Sequence, residues 1–484
     1  MSELLNRRTL RACPALPEVA LPPRGWESQA VGIVHLGIGA FHRAHQAVYT
    51  QDAFASTGDD RWAISGVTQR SSEVKTQLGP QDCVYGVMEG ADRGPRLTIV
   101  GSVREVLYAA EDGLAFGERL SSDDVQVVTM TITEKAYLRD ADGALDFSHP
   151  LVAADLQSVA APVTAIGRLV AGLRRRADRS GAALTVVCCD NLMGNGRVVE
   201  QLVGEFCRAS GADDLADWIG THVTFPSTMV DRIVPATTAA DRDRARSILG
   251  LHDRGLVVAE QFKQWVVEDH FAAERPLWEN AGAQLVSDVA PFERMKLRIL
   301  NGAHSALAYL GAIRGHHTIA DAIADPELEA FIQTMLTEDV IPTLQPPAGV
   351  DLAEYAARVL ARFSDANVAH QTTQIAMDGS QKLPLRLLST LATNLERGRL
   401  SEHVLRAVAG WMVYIALPEG PGGFALPVED PLRIRLTTAA RGQSNPARVV
   451  DALLGIREIF SDDLRANQAV RACLIESVSE LLRT

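Results

Sequence analysis

Five short apolar runs, separated by stretches of helical periodicity, constrain the fold of the first half of this 484-residue chain. The runs are rich in Val and Ile and end at turn or polar residues, which is typical of buried strands. They span residues 30–36, 61–67, 97–101, 125–133 and 183–189. Helical patterns separate several of them, notably at 41–56 and 162–178. Strands that alternate with helices predict a largely parallel sheet with helices on both faces.

The pattern changes near residue 285, beyond which few runs resemble strands. Helical periodicity dominates in 292–312, 326–342, 351–363, 402–417 and 446–459. The Pro- and Gly-rich segment 418–431 predicts a loop between helices. We therefore expect an α/β domain at 1–285, built on the mostly parallel sheet, and an all-α domain at 286–484.

Composition limits the classes of partner. The net charge is −13 with a pI of about 5.4, which argues against binding to nucleic acid or to anionic membranes. An anionic small molecule remains possible, because a few nearby cations can outweigh a distant field. No 18-residue apolar stretch predicts a membrane span, and no signal peptide is evident. The six scattered cysteines show no disulfide framework, so we expect reduced thiols in a cytoplasmic protein. The Pro-interrupted segment 1–28 is expected to lie across the surface.

A glycine turn follows the first predicted strand. Gly37 would permit a tight turn, and Gly39 would let the backbone approach a pyrophosphate at the start of the next helix. His42 occupies the position of the third glycine in the usual dinucleotide fingerprint, so a plain strand–turn–helix connection is an open alternative.

An acidic residue that binds the ribose should follow the second strand. Glu73 is the nearest candidate, and a solvated glutamate at the start of a helix is the alternative interpretation. Arg70 and Ser71 beside it leave room for a 2′-phosphate, so the sequence favours NAD without deciding against NADP.

The run from Glu293 to His304 carries the most distinctive polar pattern. On a helix, Glu293, Lys296, Asn301 and His304 fall within an arc of about 140°, interleaved with leucines. Polar groups on a core-facing stripe need partners or a cavity. A lysine there loses hydration, which disfavours its charged form and lets it act as a base near neutral pH. The alternative is a Lys that extends to solvent beside a hydrogen-bonded core histidine.

Other polar segments each have a structural alternative, and for Asn191 taken alone that alternative is favoured. Glu134 and Lys135 follow the fourth strand and could be surface charges. Asn191 follows the fifth strand and could donate a hydrogen bond to an alkoxide or simply cap a turn. Asp231 lies beside Arg232 in apolar surroundings, where an ion pair is the alternative, and Lys382 lies in a polar turn that could be an ordinary loop.

Taken together, these segments resemble the polyol-specific long-chain dehydrogenases, which include mannitol 2-dehydrogenases and fructuronate reductases. The motifs Gly-x-Gly-x-Phe-His-Arg-Ala-His, Ile-Thr-Glu, Cys-Asp-Asn, Val-Asp-Arg-Ile and Met-Lys-x-x-x-Leu-Asn-Gly-x-His occur in the order and spacing of that family. The resemblance runs from Val31 to about Leu482. It implies a metal-independent, NAD(P)-dependent enzyme, commonly monomeric, with a Rossmann-type domain and a helical C-terminal domain.

The resemblance also implies roles for single residues. Lys296 would be the general acid/base, with Glu293 as the group through which its proton leaves. Asn191 and Asn301 would stabilise the alkoxide, and His304 would hydrogen-bond the reacting oxygen. The remaining positions are implied to contact the substrate (Asp231, Lys382) or the cofactor (Gly37, Gly39, Phe41, Arg43, Glu73, Glu134).

Three positions bear on the substrate. Mannitol-specific members have Gly, a small residue and Arg where this chain has Lys135, Arg298 and Gln374. These choices, with Gln381 in Asp-Gly-Ser-Gln-Lys-Leu-Pro, are similar to fructuronate reductases, and added cations suit a carboxylate substrate. Arg298 projects away from Lys296 on the helix, so it need not reach the substrate. We expect a sugar acid, D-fructuronate, with mannitol/fructose or arabinitol as alternatives.

Overall fold

The computed structural model describes residues 3–13, 16–90, 94–140, 142–364 and 370–483. The chain divides into two compact units, Met1–Ala290 and Pro291–Thr484. Every sheet of the described residues lies in the first unit, and the described part of the second unit is built from helices. The expected combination of an α/β unit and a helical unit is therefore confirmed.

A six-stranded parallel sheet organises the first unit. Its strands are β1 (Val31–Leu36), β2 (Ala63–Thr68), β3 (Val103–Tyr108), β4 (Val127–Met130), β5 (Leu184–Cys188) and β6 (Val223–Thr224), in the order β3-β2-β1-β4-β5-β6. The chain leaves β1 toward one side of the sheet and later returns to pair β4 on the other. Ligands of such doubly wound sheets bind at this reversal, beyond the carboxyl ends of the strands.

Alternate residues of the strands supply two separate cores, one on each face of the sheet. Val34 and Val128 belong to one core, and their neighbours Ile33 and Val127 belong to the other. Both faces are covered by helices, which is why the strands read as continuous apolar runs. The helices of this unit are Arg7–Arg11, Ala40–Ala44, Gln46–Thr57, Glu73–Leu78, Gly113–Leu120, Pro150–Gln157, Ala165–Arg179, Asn195–Ala209, Asp213–His222 and Ala239–Leu249.

Contrary to the prediction, the third apolar run does not join the parallel sheet. Arg96–Val100 is a strand, but it pairs antiparallel with Tyr85–Glu89 in a separate four-stranded sheet. The chain turns at Gly101, and β3 forms the next strand, at the edge of the main sheet. Two of the central residues of β3, Arg104 and Glu105, are half-buried, so β3 lacks the apolar signature of its neighbours.

Two smaller sheets complete the strands of the described chain. The four-stranded sheet also contains Val19–Ala20 and Val257–Ala259, and a three-stranded sheet contains Thr228–Asp231, Gln264–Glu268 and Gln284–Val286.

The sequence predicted that residues 1–28 lie across the surface, but part of this segment is buried. Residues 1, 2, 14 and 15 lie outside the described residues. Leu5, Leu10 and Trp26 are buried in a third core with residues of the four-stranded sheet.

The second unit is built around two buried helices, Gly302–Ile313 and Glu402–Ala416. Among the described residues, its other α-helices are Ala290–Met295, which begins at the last residue of the first unit, and Ile319–Ile323, Pro326–Thr334, Leu352–Phe363, Thr372–Ile375, Gly379–Leu383, Ser389–Glu396, Arg433–Ala440, Pro446–Leu454, Asp462–Ala466 and Gln468–Leu481. In the part of this unit that the structure describes, three segments are wound as π-helix, namely Lys296–Asn301, Met335–Val340 and Pro384–Leu388. Single π turns within α-helices occur frequently at functional sites.

All six cysteines are free thiols. None of the described helices combines the length and apolar character of a membrane span.

Candidate functional site

The turn after β1 has a backbone that only glycine can form. Gly37 has φ +95°, and a Cβ added there would lie 2.0 Å from the carbonyl oxygen of Thr131, beyond β4. The Gly37 amide donates to the Val67 carbonyl at 2.8 Å, and the Thr131 hydroxyl donates to the Gly37 carbonyl at 2.9 Å. The turn is therefore clamped between the ends of β2 and β4.

Gly39 gives the same turn an open face. It precedes the helix Ala40–Ala44, and a Cβ added there would meet only the Gly37 carbonyl oxygen, at 3.8 Å. The predicted cofactor residues beside it are engaged with the protein. Phe41 stacks on His45 with ring centroids 4.9 Å apart, and Arg43 donates to the carbonyls of Gly255 and Gly39. The exposed Gly39 backbone fits the approach of a pyrophosphate, and Arg43 stiffens the turn behind it.

Glu73 does not stand at the end of β2. It is the first residue of the helix Glu73–Leu78, its side chain is exposed, and its carboxylate accepts a hydrogen bond from Gln77 at 3.0 Å. Gln69 directly follows β2 and accepts a hydrogen bond from Arg168.

Glu134, Lys135 and Asn191 lie beyond adjacent strands, β4 and β5, and all three are exposed. The sequence analysis missed the residue that connects their loops. Asp190 accepts hydrogen bonds from the amides of Ile132 and Thr133, both at 2.9 Å, and from the Tyr137 hydroxyl at 2.6 Å. Burial raises the pKa of Asp190, although these three hydrogen bonds act in the opposite direction. The position of Asp190 directly before Asn191 was the available signal.

Thr133, which precedes Glu134, has φ +73°, a conformation that a β-branched residue rarely adopts. Such a conformation persists only where surrounding contacts hold it, and the Asp190 carboxylate supplies one of them.

Asp231 ends the strand Thr228–Asp231 and is buried. Its neighbour Arg232 is also buried and is committed elsewhere: it donates to the carbonyl of Glu260 at 3.0 Å and pairs with Glu89.

The four polar residues of the predicted stripe in the second unit are all buried. Glu293, Lys296, Asn301 and His304 retain only 5%, 9%, 7% and 7% of their accessible surface. The sequence analysis assumed a regular α-helix here, but Lys296–Asn301 forms a π turn. The wider turn changes the angular spacing between Lys296 and the residues after it, so the 100° projection no longer describes their relative directions.

Two polar atoms of these four residues have no hydrogen-bond partner among the described residues: the amide nitrogen Nδ2 of Asn301 and the ring nitrogen Nε2 of His304. A buried polar atom without a partner is costly, so a ligand oxygen is an appropriate complement. Lys296, by contrast, interacts with other groups of the protein.

His304 lies in aromatic and cationic surroundings. Its ring stacks on Phe363 and His370, with centroid distances of 4.9 and 5.5 Å. Burial is the main cause that lowers the pKa of His304 well below its ordinary value. The nearby groups His370, Arg386, Lys382 and Arg362 lower it further, so the imidazole is neutral near pH 7.

The remaining predicted substrate residues differ in placement. Lys382 is half-buried in the helix Gly379–Leu383, and its ammonium donates to the carbonyl of Ile375 at 3.2 Å. Gln374 is exposed. Arg298 donates to the hydroxyls of Thr343 and Thr393, at 3.0 and 3.3 Å.

Among the described residues, no group of three or more His, Cys, Asp or Glu side chains is arranged to hold a metal ion. The candidate residues thus fall into two sets, one in each unit. One lies at the carboxyl edge of the parallel sheet, around Gly37, Glu134 and Asn191, and the other lies on the helical run from Glu293 to His304.

Two family models match this chain along most of its length. The model of the mannitol dehydrogenase Rossmann domain matches residues 31–280, and the model of the mannitol dehydrogenase C-terminal domain matches residues 288–482.

Individual proteins match over similar lengths. The chain is 42% identical to D-mannonate oxidoreductase of Escherichia coli (strain K12) over 440 residues, which is 90% of both proteins. It is 37% identical to polyol:NADP oxidoreductase of Gluconobacter oxydans (strain 621H) over 426 residues, or 87% of each. Its fold matches the ternary complex of Pseudomonas fluorescens mannitol 2-dehydrogenase with NAD and D-mannitol, with a TM-score of 0.88 and 34% identity, covering 99% of this chain and 96% of that one.

Proposed function

The chain belongs to the mannitol dehydrogenase family of oxidoreductases, and we propose that within this family it catalyses the reversible, NAD-dependent reduction of D-fructuronate to D-mannonate. The substrate assignment rests on the 42% identity to D-mannonate oxidoreductase. Lys135 and Gln374, at positions where mannitol-specific members differ, support it. The reduction of fructose to mannitol is the second candidate, favoured by the match to mannitol 2-dehydrogenase.

The observation that carries the chemistry is the buried set of Lys296, Asn301 and His304 on one helical run. A carbonyl that gains a hydride becomes an alkoxide, which needs hydrogen-bond donors and a proton. The unpartnered Nδ2 of Asn301 and Nε2 of His304 are two such donors. Because His304 is neutral, it donates only when its proton is on Nε2, and it does not compete with Lys296 as the acid.

Lys296 supplies the proton in the direction of reduction and accepts it in the direction of oxidation. Glu293 lies three residues earlier and is also buried, and it is proposed as the group that passes this proton onward. Asn191 is proposed as a further donor to the alkoxide. Asp231 and Lys382 are proposed to bind hydroxyl groups farther from the reacting carbon, and Arg298, given its threonine partners, to support the helix.

The first unit is proposed to hold the nucleotide. The Gly37–Gly39 turn would receive its pyrophosphate, while Glu134 and Glu73 would contact the remainder. Bound NADH supplies the hydride. Glu73 favours a free ribose hydroxyl and therefore NAD, whereas Arg70 beside it and the similarity to a polyol:NADP oxidoreductase make NADPH the alternative to test.

A panel of initial rates tests this proposal. D-Fructuronate, D-fructose and D-xylulose are each offered with NADH and with NADPH, and the loss of absorbance at 340 nm is followed. We expect the highest kcat/KM with D-fructuronate and NADH. A higher kcat/KM with D-fructose would assign the second candidate function. If none of the substrates causes oxidation of NADH or NADPH, both candidate functions are rejected.

A further inference from the structure

Asn195 is a fully buried asparagine at the start of the helix Asn195–Ala209, in the turn that follows Asn191. Its amide nitrogen Nδ2 donates to the carbonyls of Asp190 and Thr228, both at 2.9 Å. Its oxygen Oδ1 accepts a hydrogen bond from the Thr228 amide at 2.8 Å. Only an amide side chain of this size offers two donor hydrogens and an acceptor together, so the position calls for asparagine.

The contacts with Thr228 complete the edge of a sheet. Thr228 begins the strand Thr228–Asp231, an edge strand of the three-stranded sheet, whose neighbour in that sheet is Gln264–Glu268. An edge strand presents backbone groups that no further strand pairs. Asn195 binds both backbone groups of Thr228 and so takes the place of a neighbouring strand at this residue.

Two further contacts hold the same junction. The Thr228 hydroxyl donates to the carbonyl of Cys188, the last residue of β5, at 2.6 Å. Gly196, next to Asn195, packs closely on the chain before the strand, since an added Cβ would lie 2.2 Å from the Phe225 carbonyl oxygen. The end of β5, the start of the helix and the start of the strand therefore form one compact junction.

Two residues that are proposed to bind the substrate extend from this junction. Asn191 directly follows Asp190, whose carbonyl accepts the hydrogen bond from Asn195. Asp231 ends the strand that Thr228 begins. Loss of the Asn195 side chain would release both attachments together, because one amide makes them both.

We propose that Asn195 is a positioning residue of the reaction, which holds Asn191 and Asp231 in a fixed arrangement around the substrate. This inference rests on the proposed function, in which Asn191 donates to the alkoxide and Asp231 binds a more distant hydroxyl group. Asn195 itself need not touch the substrate. Because a displacement of about 1 Å can remove much of the effect of a catalytic group, loss of Asn195 should weaken both roles at once.

A double-mutant cycle tests whether Asn195 acts through Asn191. Each variant is assayed with the substrate and cofactor that give the wild type its highest kcat/KM in the panel of initial rates. Asn195→Ala should lower kcat about 30-fold in the wild-type background. In the Asn191→Ala background it should lower kcat less than about threefold, because the group that it positions is already absent. Equal losses in the two backgrounds would overturn the inference, since a general structural defect acts independently of Asn191.

A second cycle tests the attachment to Asp231 through KM. Asn195→Ala should raise the KM about tenfold in the wild-type background and less than about threefold in the Asp231→Asn background. An equal rise in both backgrounds, or no rise in either, would show that Asn195 does not position Asp231 and would overturn the inference.

Asn394 provides a matched control in the second unit. It is a buried asparagine of the helix Ser389–Glu396, and its Nδ2 donates to the Asp339 carbonyl at 2.8 Å and to the Ser401 hydroxyl at 2.7 Å. Asn394→Ala should lower the free energy of unfolding as Asn195→Ala does, but its kcat and KM should stay within about threefold of the wild type. A loss of kcat in Asn394→Ala as large as that in Asn195→Ala would assign the effect to destabilisation alone.

A milder variant keeps the inference testable if Asn195→Ala does not fold. Thr228→Val removes the hydrogen bond to the Cys188 carbonyl and nearly keeps the shape of the side chain. It should raise the KM about threefold in the wild-type background and less than about 1.5-fold in the Asp231→Asn background. Equal rises would again overturn the role of this junction.

The failure of this inference is distinguishable from the failure of the proposed function. A wild-type enzyme that oxidises neither cofactor with any substrate of the panel rejects both. An active wild type with an unchanged kcat in Asn191→Ala rejects the role of Asn191, and the inference with it. An active wild type with additive effects in the two cycles rejects only the role of Asn195.

Discussion

His35 shows how one buried side chain supports the glycine turn. It lies on β1 and hydrogen-bonds through its two ring nitrogens to the hydroxyls of Thr129 and Thr131, at 2.7 and 2.9 Å. The Thr131 hydroxyl in turn donates to the Gly37 carbonyl. Burial lowers the pKa of His35 to about 3, so the ring is neutral in the folded protein. This chain of contacts makes the geometry of the turn depend on an uncharged histidine.

The protonation of His35 leads to a prediction for stability. Its pKa in the unfolded chain is about 6.5, so below that pH the unfolded state takes up a proton that the folded state excludes until about pH 3. The stabilisation due to neutral His35 is therefore present above pH 6.5 and is lost as the pH falls. In urea denaturation, the difference in unfolding free energy between the wild type and His35→Gln should shrink by about 2 kcal/mol from pH 7 to pH 5. A difference that does not change with pH would contradict this assignment.

At single positions, the sequence predicted what depends on local pattern. It indicated that Glu293, Lys296, Asn301 and His304 lie on a core-facing helix, and all four are buried. It did not indicate the π turn, which depends on packing against other elements.

The loops after β4 and β5 act as one element because Asp190 joins them. In Asp190→Asn, one acceptor oxygen is replaced by an NH2 group that faces the hydrogen-bond donors. This should lower the free energy of unfolding by about 2–4 kcal/mol. Tyr137→Phe removes only one of the three hydrogen bonds and should cost about 1 kcal/mol. Because Glu134 and Asn191 lie on these loops, Asp190→Asn should also lower kcat/KM at least about tenfold, whereas Tyr137→Phe should change it little. Urea denaturation and initial rates measure both effects; equal costs for the two variants would show that Asp190 does not link the loops.

The helical run of the second unit should be sensitive at Gly302. A Cβ there would lie 2.9 Å from a backbone oxygen of Arg386, so Gly302→Ala should destabilise the protein by about 1–3 kcal/mol. Gly220 is the matched control: it is also helical, but a Cβ added there would have no atom within 4 Å. Gly220→Ala should stabilise the protein by about 0.5–1 kcal/mol because Ala favours the helix. If the free energy of unfolding changed in the same direction in Gly302→Ala and Gly220→Ala, the close approach at residue 302 would not constrain this segment.

At the level of elements, long-range pairing accounts for what the sequence could not predict. The strand Tyr85–Glu89 pairs with Val257–Ala259, far along the chain, and these short strands carry no pattern that identifies their partners. By contrast, β1, β2, β4 and β5 are covered on both faces, so their apolar runs were recognisable without knowledge of the partners.

For the whole molecule, alternating strands and helices followed by a helical half predicted the fold class correctly. The acidic net charge of −13 and the cations around His304 illustrate a separate principle. An overall acidic protein can accept an anionic substrate if local cations dominate at short range, since the field of distant charges is screened over about 8–10 Å. Composition therefore limits the class of macromolecular partner and says little about the substrate.

The account as a whole depends on buried Lys296 as the acid and base of the reaction. The most direct test is the turnover number of Lys296→Ala with D-fructuronate and NADH, together with the dissociation constant of NADH measured by fluorescence. Lys263→Ala, which removes a lysine paired with Asp52, serves as the control and should keep wild-type turnover. We predict that Lys296→Ala lowers kcat by about 10³–10⁴-fold while NADH binding changes less than about threefold. A kcat within tenfold of the wild type would contradict the assignment of Lys296, and with it the proposed mechanism.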